Sequence, residues 1–118
     1  MIRVGDIREW RTHDVIDAGG HKIGTLEAVY VDTATDEPVM GTVVIGMPTR
    51  HRLAFVPLAG AVVGPSYVRV AYDKDVVKKS PSIGTDDVLP AEDEPEIFKH
   101  YGLAYEPGAG GERRLARP

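Results

Sequence analysis

The sequence predicts a mainly β fold: a small β-barrel of about six short strands followed by a short C-terminal helix. Residues 15–32 read as a strand, a glycine turn and a long strand that closes on Asp32. Turn-forming clusters then separate short apolar runs as far as residue 75. A segment near residues 95–101 places Ile97 and Tyr101 four apart with Phe98 beside them, the spacing of an apolar helix face.

Taken in order, Gly19 and Gly20 supply two positions where positive φ costs little, as a tight hairpin requires. Gly24 lies inside the next strand, where a missing side chain marks a bulge or a close backbone approach. Strict alternation from Ile23 to Asp32 puts Ile23, Thr25, Glu27, Val29 and Val31 on one face and Leu26, Ala28 and Tyr30 on the other. Both faces are substantially apolar, so this strand is expected to be covered on both sides. One face fills the barrel, and the other must meet a tail, a neighbouring chain or a partner.

Asp32 to Pro38 has turn chemistry, with Asp side chains able to accept from nearby amides. Val39–Ile45 is the next strand; the polar turn Pro48 to Arg52 leads to Leu53–Pro57, and Leu58–Val63 holds another short strand. After Gly64-Pro65-Ser66, Tyr67, Arg69 and Ala71 alternate with Val68, Val70 and Tyr72. From Lys78 to Pro95 the chain is acidic, proline-bearing and poorly periodic, a linker lying over the barrel. Asp93 or Glu94 can cap a helix beginning near Pro95, and Gly102 can stop it. The expected organisation is an N-terminal segment (1–12) packing on the barrel, the barrel itself (13–81), an extension with the helix near 95–101 (82–105), and a disordered Pro/Gly/Arg-rich tail (106–118).

The glycine hairpin, the Leu53-Ala-Phe-Val-Pro-Leu58 strand and the exit from Asp73 to Pro81 resemble the PRC-barrel family, shared by the photosynthetic reaction centre H subunit and a ribosome-maturation factor. The resemblance runs roughly from Trp10 to Pro81, and Phe98-Lys-His-Tyr-Gly-Leu103 resembles tails of stand-alone PRC-barrel proteins. It implies a PRC-type barrel used for protein docking without catalysis. The chain departs from the reaction-centre subunit in showing no N-terminal transmembrane helix, and from the maturation factor in showing no separate N-terminal RNA-handling barrel.

Composition narrows the function classes. A formal charge of −4 disfavours a protein whose affinity comes from neutralising phosphates. The absence of cysteine excludes disulfides, thiolate metal sites and cysteine nucleophiles, and suits a cytoplasmic location. The apolar run from Val39 to Pro48 is far short of the roughly 20 residues a membrane span needs, so no membrane insertion is expected.

Chemical signatures are sparse. His13, His21, His51 and His100 lack paired metal-ligand spacing, and no metal or cofactor is expected. Asp14, Asp17, Asp32, Asp36 and Glu37 sit at strand ends and turns, where capping is the ordinary role of a carboxylate. Gly19, Gly20 and Gly24 do not make a dinucleotide fingerprint, and no nucleophile elbow is present. No catalytic residue is therefore assigned, and the chain is not expected to be an enzyme. Arg50, His51 and Arg52 gather positive charge in one turn, and Lys74, Lys78 and Lys79 gather more at the barrel exit. Neither carries the interleaved aromatics of a single-strand binder.

The expected function is a non-enzymatic protein-interaction module that self-associates, with Tyr30, Phe55, Ile97, Phe98 and Tyr101 as candidate interface residues and a homodimer as the assembly. The alternative is an RNA- or ribosome-linked assembly factor, for which Arg50 and Arg52 are the candidate contacts; a small-ligand carrier is the third reading.

Overall fold

The computed structural model describes residues 10, 12–47, 50–84, 88–105 and 114–116. The first 12 positions therefore lie outside the described residues except for Trp10 and Thr12, as does most of the tail.

The fold starts from a hairpin. Strands β1 (Asp14–Ile16) and β2 (Lys22–Asp32) are antiparallel and joined by a turn in which the Asp17 amide donates to the His21 carbonyl at 2.9 Å. Of the two glycines expected in left-handed backbone, only Gly20 adopts it, at φ 88°. Gly24 is a close approach: a Cβ there would lie 2.1 Å from the Val44 carbonyl oxygen.

Two bulges in β2 then decide which of its side chains face which layer. The β1–β2 register steps from Val15↔Gly24 to Ile16↔Lys22, leaving Ile23 as the extra residue. Between β2 and β3 (Pro38–Met47) it steps from Leu26↔Val43 to Ala28↔Thr42, leaving Glu27 as the extra one. Each extra residue reverses the alternation of side chains along a strand. Leu26 consequently packs with Ile23, Val29 and Val31, not with Ala28 and Tyr30 as strict alternation predicts. Glu27 turns toward Thr42, whose hydroxyl donates to its carboxylate at 2.8 Å.

Strand β4 (Arg50–Pro57) pairs with β3 along its whole length, followed by β5 (Val62–Val63) and β6 (Tyr67–Arg69). The six strands expected before residue 75 are thus present. Arg50, His51 and Arg52 begin β4 and are not a turn, because each pairs with a residue of the Ile45–Met47 end of β3. β6 returns beside β1 as the parallel pair of the sheet.

Beyond β6 the chain is more regular than its composition suggests. A short helix α1 (Lys74–Lys78), a strand β7 (Ser82–Gly84) on β4, a 3-10 turn (Ala91–Asp93), helix α2 (Glu94–His100) and strand β8 (Leu115–Ala116) follow. Within the segment expected to be a linker, β7 pairs with Arg52–Ala54. Within the tail expected to be disordered, β8 pairs with Val31 and Asp32, because the far end of β2 has no β1 residue opposite it. The sheet is mainly antiparallel, ordered β5-β6-β1-β2-β3-β4-β7 with β8 on β2, an open path among the described residues.

Two apolar layers result. One holds Trp10, Val15, Leu26, Val43, Val56 and Val68 with their neighbours; the other holds Tyr30, Met40 and Phe55 beneath Ile97, Phe98, Tyr101 and Leu115. No helix among the described residues is long and apolar enough to cross a membrane.

Replacing Gly24 by Ala drives a methyl group into the Val44 carbonyl. The expected loss is about 1–3 kcal/mol, the usual cost of overpacking. Urea denaturation measures it, and a wild-type midpoint would show that the strands do not approach as closely as described.

Candidate functional site

The site lies where α2 covers the end of β2. Pro95 occupies the first turn of α2 and the first turn is acidic, both favourable at a helix N-terminus. The helix ends as expected at Gly102, φ 70°, with the Leu103 amide donating to the Phe98 carbonyl and the Gly102 amide to Lys99. The capping expected of Asp93 or Glu94 does not occur: Asp93 makes no side-chain cap, and Glu94 is the first helical residue. The Glu94 carboxylate points inward instead.

Glu94 is fully buried and its carboxylate accepts three hydrogen bonds. Oε1 takes the Tyr105 hydroxyl at 2.7 Å and the Arg114 amide at 2.8 Å; Oε2 takes the Leu115 amide at 2.9 Å. A buried carboxylate left without donors would be costly, so these amides are required where Glu94 sits. Burial, followed by the Glu94 carboxylate, pushes the Tyr105 phenol up to about 12, so it stays a donor at neutral pH.

The rest of the site reads side chains. Arg114 Nε donates to Asp32 Oδ2 at 2.9 Å, and its guanidinium lies 5.1 Å from the centre of the Phe98 ring. Leu115 is buried in the α2 layer at 1% exposure. The Thr33 amide donates to the Arg114 carbonyl, adding a main-chain link beside the two-residue ladder. Asp32 Oδ1 meanwhile accepts from the Ala34 amide at 2.7 Å, holding the turn. Burial pushes the Asp32 carboxyl up, but the Ala34 amide and the Arg114 guanidinium more than offset this and hold it below its ordinary 3.8.

Magnitudes show what keeps the tail in place. Burying Leu115 contributes about 1.5–3 kcal/mol, while ordering each backbone residue costs about 1–2 kcal/mol. Leu115 alone therefore falls short of offsetting the ordering of its own two-residue strand. The charge-assisted bonds to Glu94 tip the balance.

The five candidate interface residues do come together, but inside the chain. Tyr30, Phe55, Ile97, Phe98 and Tyr101 all belong to the buried layer under α2. Tyr30 and Phe55 pack with ring centres 5.6 Å apart, and the Tyr101 hydroxyl donates to the Phe55 carbonyl. Burial pushes the Tyr101 phenol up to about 12. The second apolar face of β2 is thus covered in cis by α2 and β8.

The basic candidates are elsewhere. Arg50 is exposed near the end of the β3–β4 hairpin, and Arg52 donates from Nη2 to the Lys78 carbonyl at 2.9 Å, tying β4 to α1. His21 and His51 are exposed, whereas His100 donates from Nε2 to the Val76 carbonyl at 2.7 Å, joining α2 to α1.

A polar depression of about 360 Å³ lies between the β1–β2 turn and α1, lined by Asp17, His21, Asp73, Lys74, Asp75 and Val76. Its buried member, Asp17, is already engaged: Oδ1 accepts the Gly19 and His21 amides at 2.9 and 2.8 Å, and Oδ2 accepts the Lys74 amide at 3.1 Å. The His21 amide above all holds its carboxyl below the ordinary value, against the opposing effect of burial. Asp17 is the cap that α1 lacks locally, since Asp73 makes no side-chain cap. No group of three or more potential metal ligands occurs among the described residues.

Sequence reasoning missed Glu94, Arg114 and Leu115 as a set. One signal was available: Leu115 is the sole large apolar residue after Tyr105, flanked by arginines in an otherwise Pro/Gly-rich end. A comparison with protein-family models and a search of curated proteins both find no match.

Two outcomes are expected. Glu94→Gln places an amide group against main-chain donors and should release the tail, seen as faster hydrogen exchange at Leu115 and Ala116, at a cost of about 1–3 kcal/mol; unchanged protection would show that Glu94 does not hold the tail. The depressed Asp32 value means that its contribution is complete above the ordinary 3.8 and is lost as pH falls through the lower folded value. An acid titration of the Leu115 methyl signals should therefore show a step below pH 3.8 that is absent from Asp32→Asn.

Proposed function

We propose that the chain is a PRC-type small barrel acting as a non-enzymatic docking module that receives an extended peptide strand in the slot between β2 and α2. One observation carries the reading: a fully buried carboxylate, Glu94, is satisfied largely by main-chain amides of a separate segment. Main-chain amides are common to every peptide except at proline, so a buried acceptor for them suits recognition by strand addition. In that mode the ladder supplies affinity and side-chain pockets supply selectivity. Here β2 is the ladder, the layer beneath α2 takes an apolar side chain, and Asp32 with Phe98 takes an arginine.

The resemblance to PRC barrels supports the same role, since docking is the common use of that scaffold. The absence of cysteine is in keeping with work in the cytoplasm. The RNA-linked alternative has less support: the Arg52 guanidinium is engaged with α1, and the formal charge of −4 opposes phosphate binding.

Full-length chain carrying Leu115→Glu empties the slot of its own tail. Titrated with a fluorescent peptide of residues 113–118, it should bind saturably, and adding Glu94→Gln should weaken binding about tenfold or more, the equivalent of roughly 1.4 kcal/mol. Absence of binding to the emptied slot would overturn the proposal.

A further inference from the structure

We infer that the strand received by this slot is the C-terminal segment of a second copy of the chain, so that two copies associate by exchanging Arg114–Ala116. The inference rests on the slot being a strand-docking site and names its occupant.

The complementarity on display belongs to this chain's own residues. Arg114 meets Asp32 and the Phe98 ring, Leu115 fills the layer beneath α2, and the two amides meet Glu94. A second copy carries the same segment and makes the same contacts, so exchange forms and breaks none of them. Such exchange is a low-cost route to a dimer.

Reach sets the geometry. Eight residues, 106–113, connect Tyr105 to Arg114, and four of them are Pro107, Gly108, Gly110 and Gly111. Fully extended, that connection spans at most about 30 Å. The protein itself measures 39 × 31 × 26 Å, and Tyr105 donates to Glu94 and so leaves from the slot. A tail starting there reaches a neighbour's slot when the two slots face one another across a two-fold axis, not from opposite sides of two molecules. The assembly is therefore an isologous dimer with α2 and the end of β2 near its axis.

Concentration decides between the two arrangements. A short connection presents the tail to its own slot at an effective concentration of about millimolar. Intramolecular seating prevails in dilute solution, and exchange grows as protein concentration approaches that range. A shorter connection disfavours the intramolecular path, and deletion of residues 108–111 should shift association to concentrations at least tenfold lower.

Two full-length variants test the exchange. Leu115→Glu has a native slot and a defective tail; Glu94→Gln has a native tail and a defective slot, with Asp32→Asn replacing it should Glu94→Gln not fold. By sedimentation velocity each variant should be monomeric alone, and their mixture should form a one-to-one complex that dissociates on adding the 113–118 peptide. Binding of that peptide by the Leu115→Glu chain, with mixed variants and concentrated wild-type protein both monomeric, would overturn the exchange and leave the docking reading standing. Failure of the peptide to bind would remove both.

Discussion

Strand β2 presents apolar side chains to both sides of the sheet, and the molecule is arranged around covering them. The first side is closed by the returning strands, with Val15, Val43, Val56 and Val68 against Ile23, Leu26, Val29 and Val31. The second needs α2 and β8, which lay Ile97, Phe98 and Leu115 over Ala28 and Tyr30. The bulges at Ile23 and Glu27 apportion residues between these layers, because an extra residue reverses every side chain beyond it. Remove the bulge at Glu27 and Leu26 would change layers relative to Val29.

Two buried carboxylates then tie distant segments to that sheet by accepting main-chain amides. Asp17 gathers its own turn and the first amide of α1; Glu94 gathers Tyr105 and the C-terminal strand. In each case the acceptor is charged and held away from water, so a vacated partner would leave a desolvated oxygen. The two sites differ in what they hold. Lys74 follows the end of β6 by five residues, whereas Arg114 is separated from Tyr105 by eight. That separation is what the proposed docking role uses: a strand joined through a longer connection is the one that another strand would replace at Glu94.

The surplus apolar face of β2, from which self-association was expected, does not supply a basis for it; the exchange we infer rests on a different one. That face is covered within the chain, and its aromatic residues are core residues. What can be shared between copies is the segment that completes the cover. The resulting interface would be made of a main-chain ladder, one leucine and one arginine, and not of a broad apolar patch.

Local chemistry was enough to determine the mainly β character, the six strands before residue 75, the hairpin at Gly20, the close approach at Gly24 and the helix stopped by Gly102. Each depends on a few neighbouring residues whose conformational preferences are readable in order. The burial of Tyr30, Phe55, Ile97, Phe98 and Tyr101 in one cluster was foreshadowed by their apolar character, but whether they faced another chain or their own was decided only by the packing of α2. Tertiary structure alone decided the parity of β2, the strand made from Ser82–Gly84, and the union of Asp32, Glu94, Arg114 and Leu115. Those residues come from three separate stretches of the chain, and a two-residue strand has too little local signal to declare itself; only the end of β2 beyond its β1 partner and a buried carboxylate seeking donors give it a place.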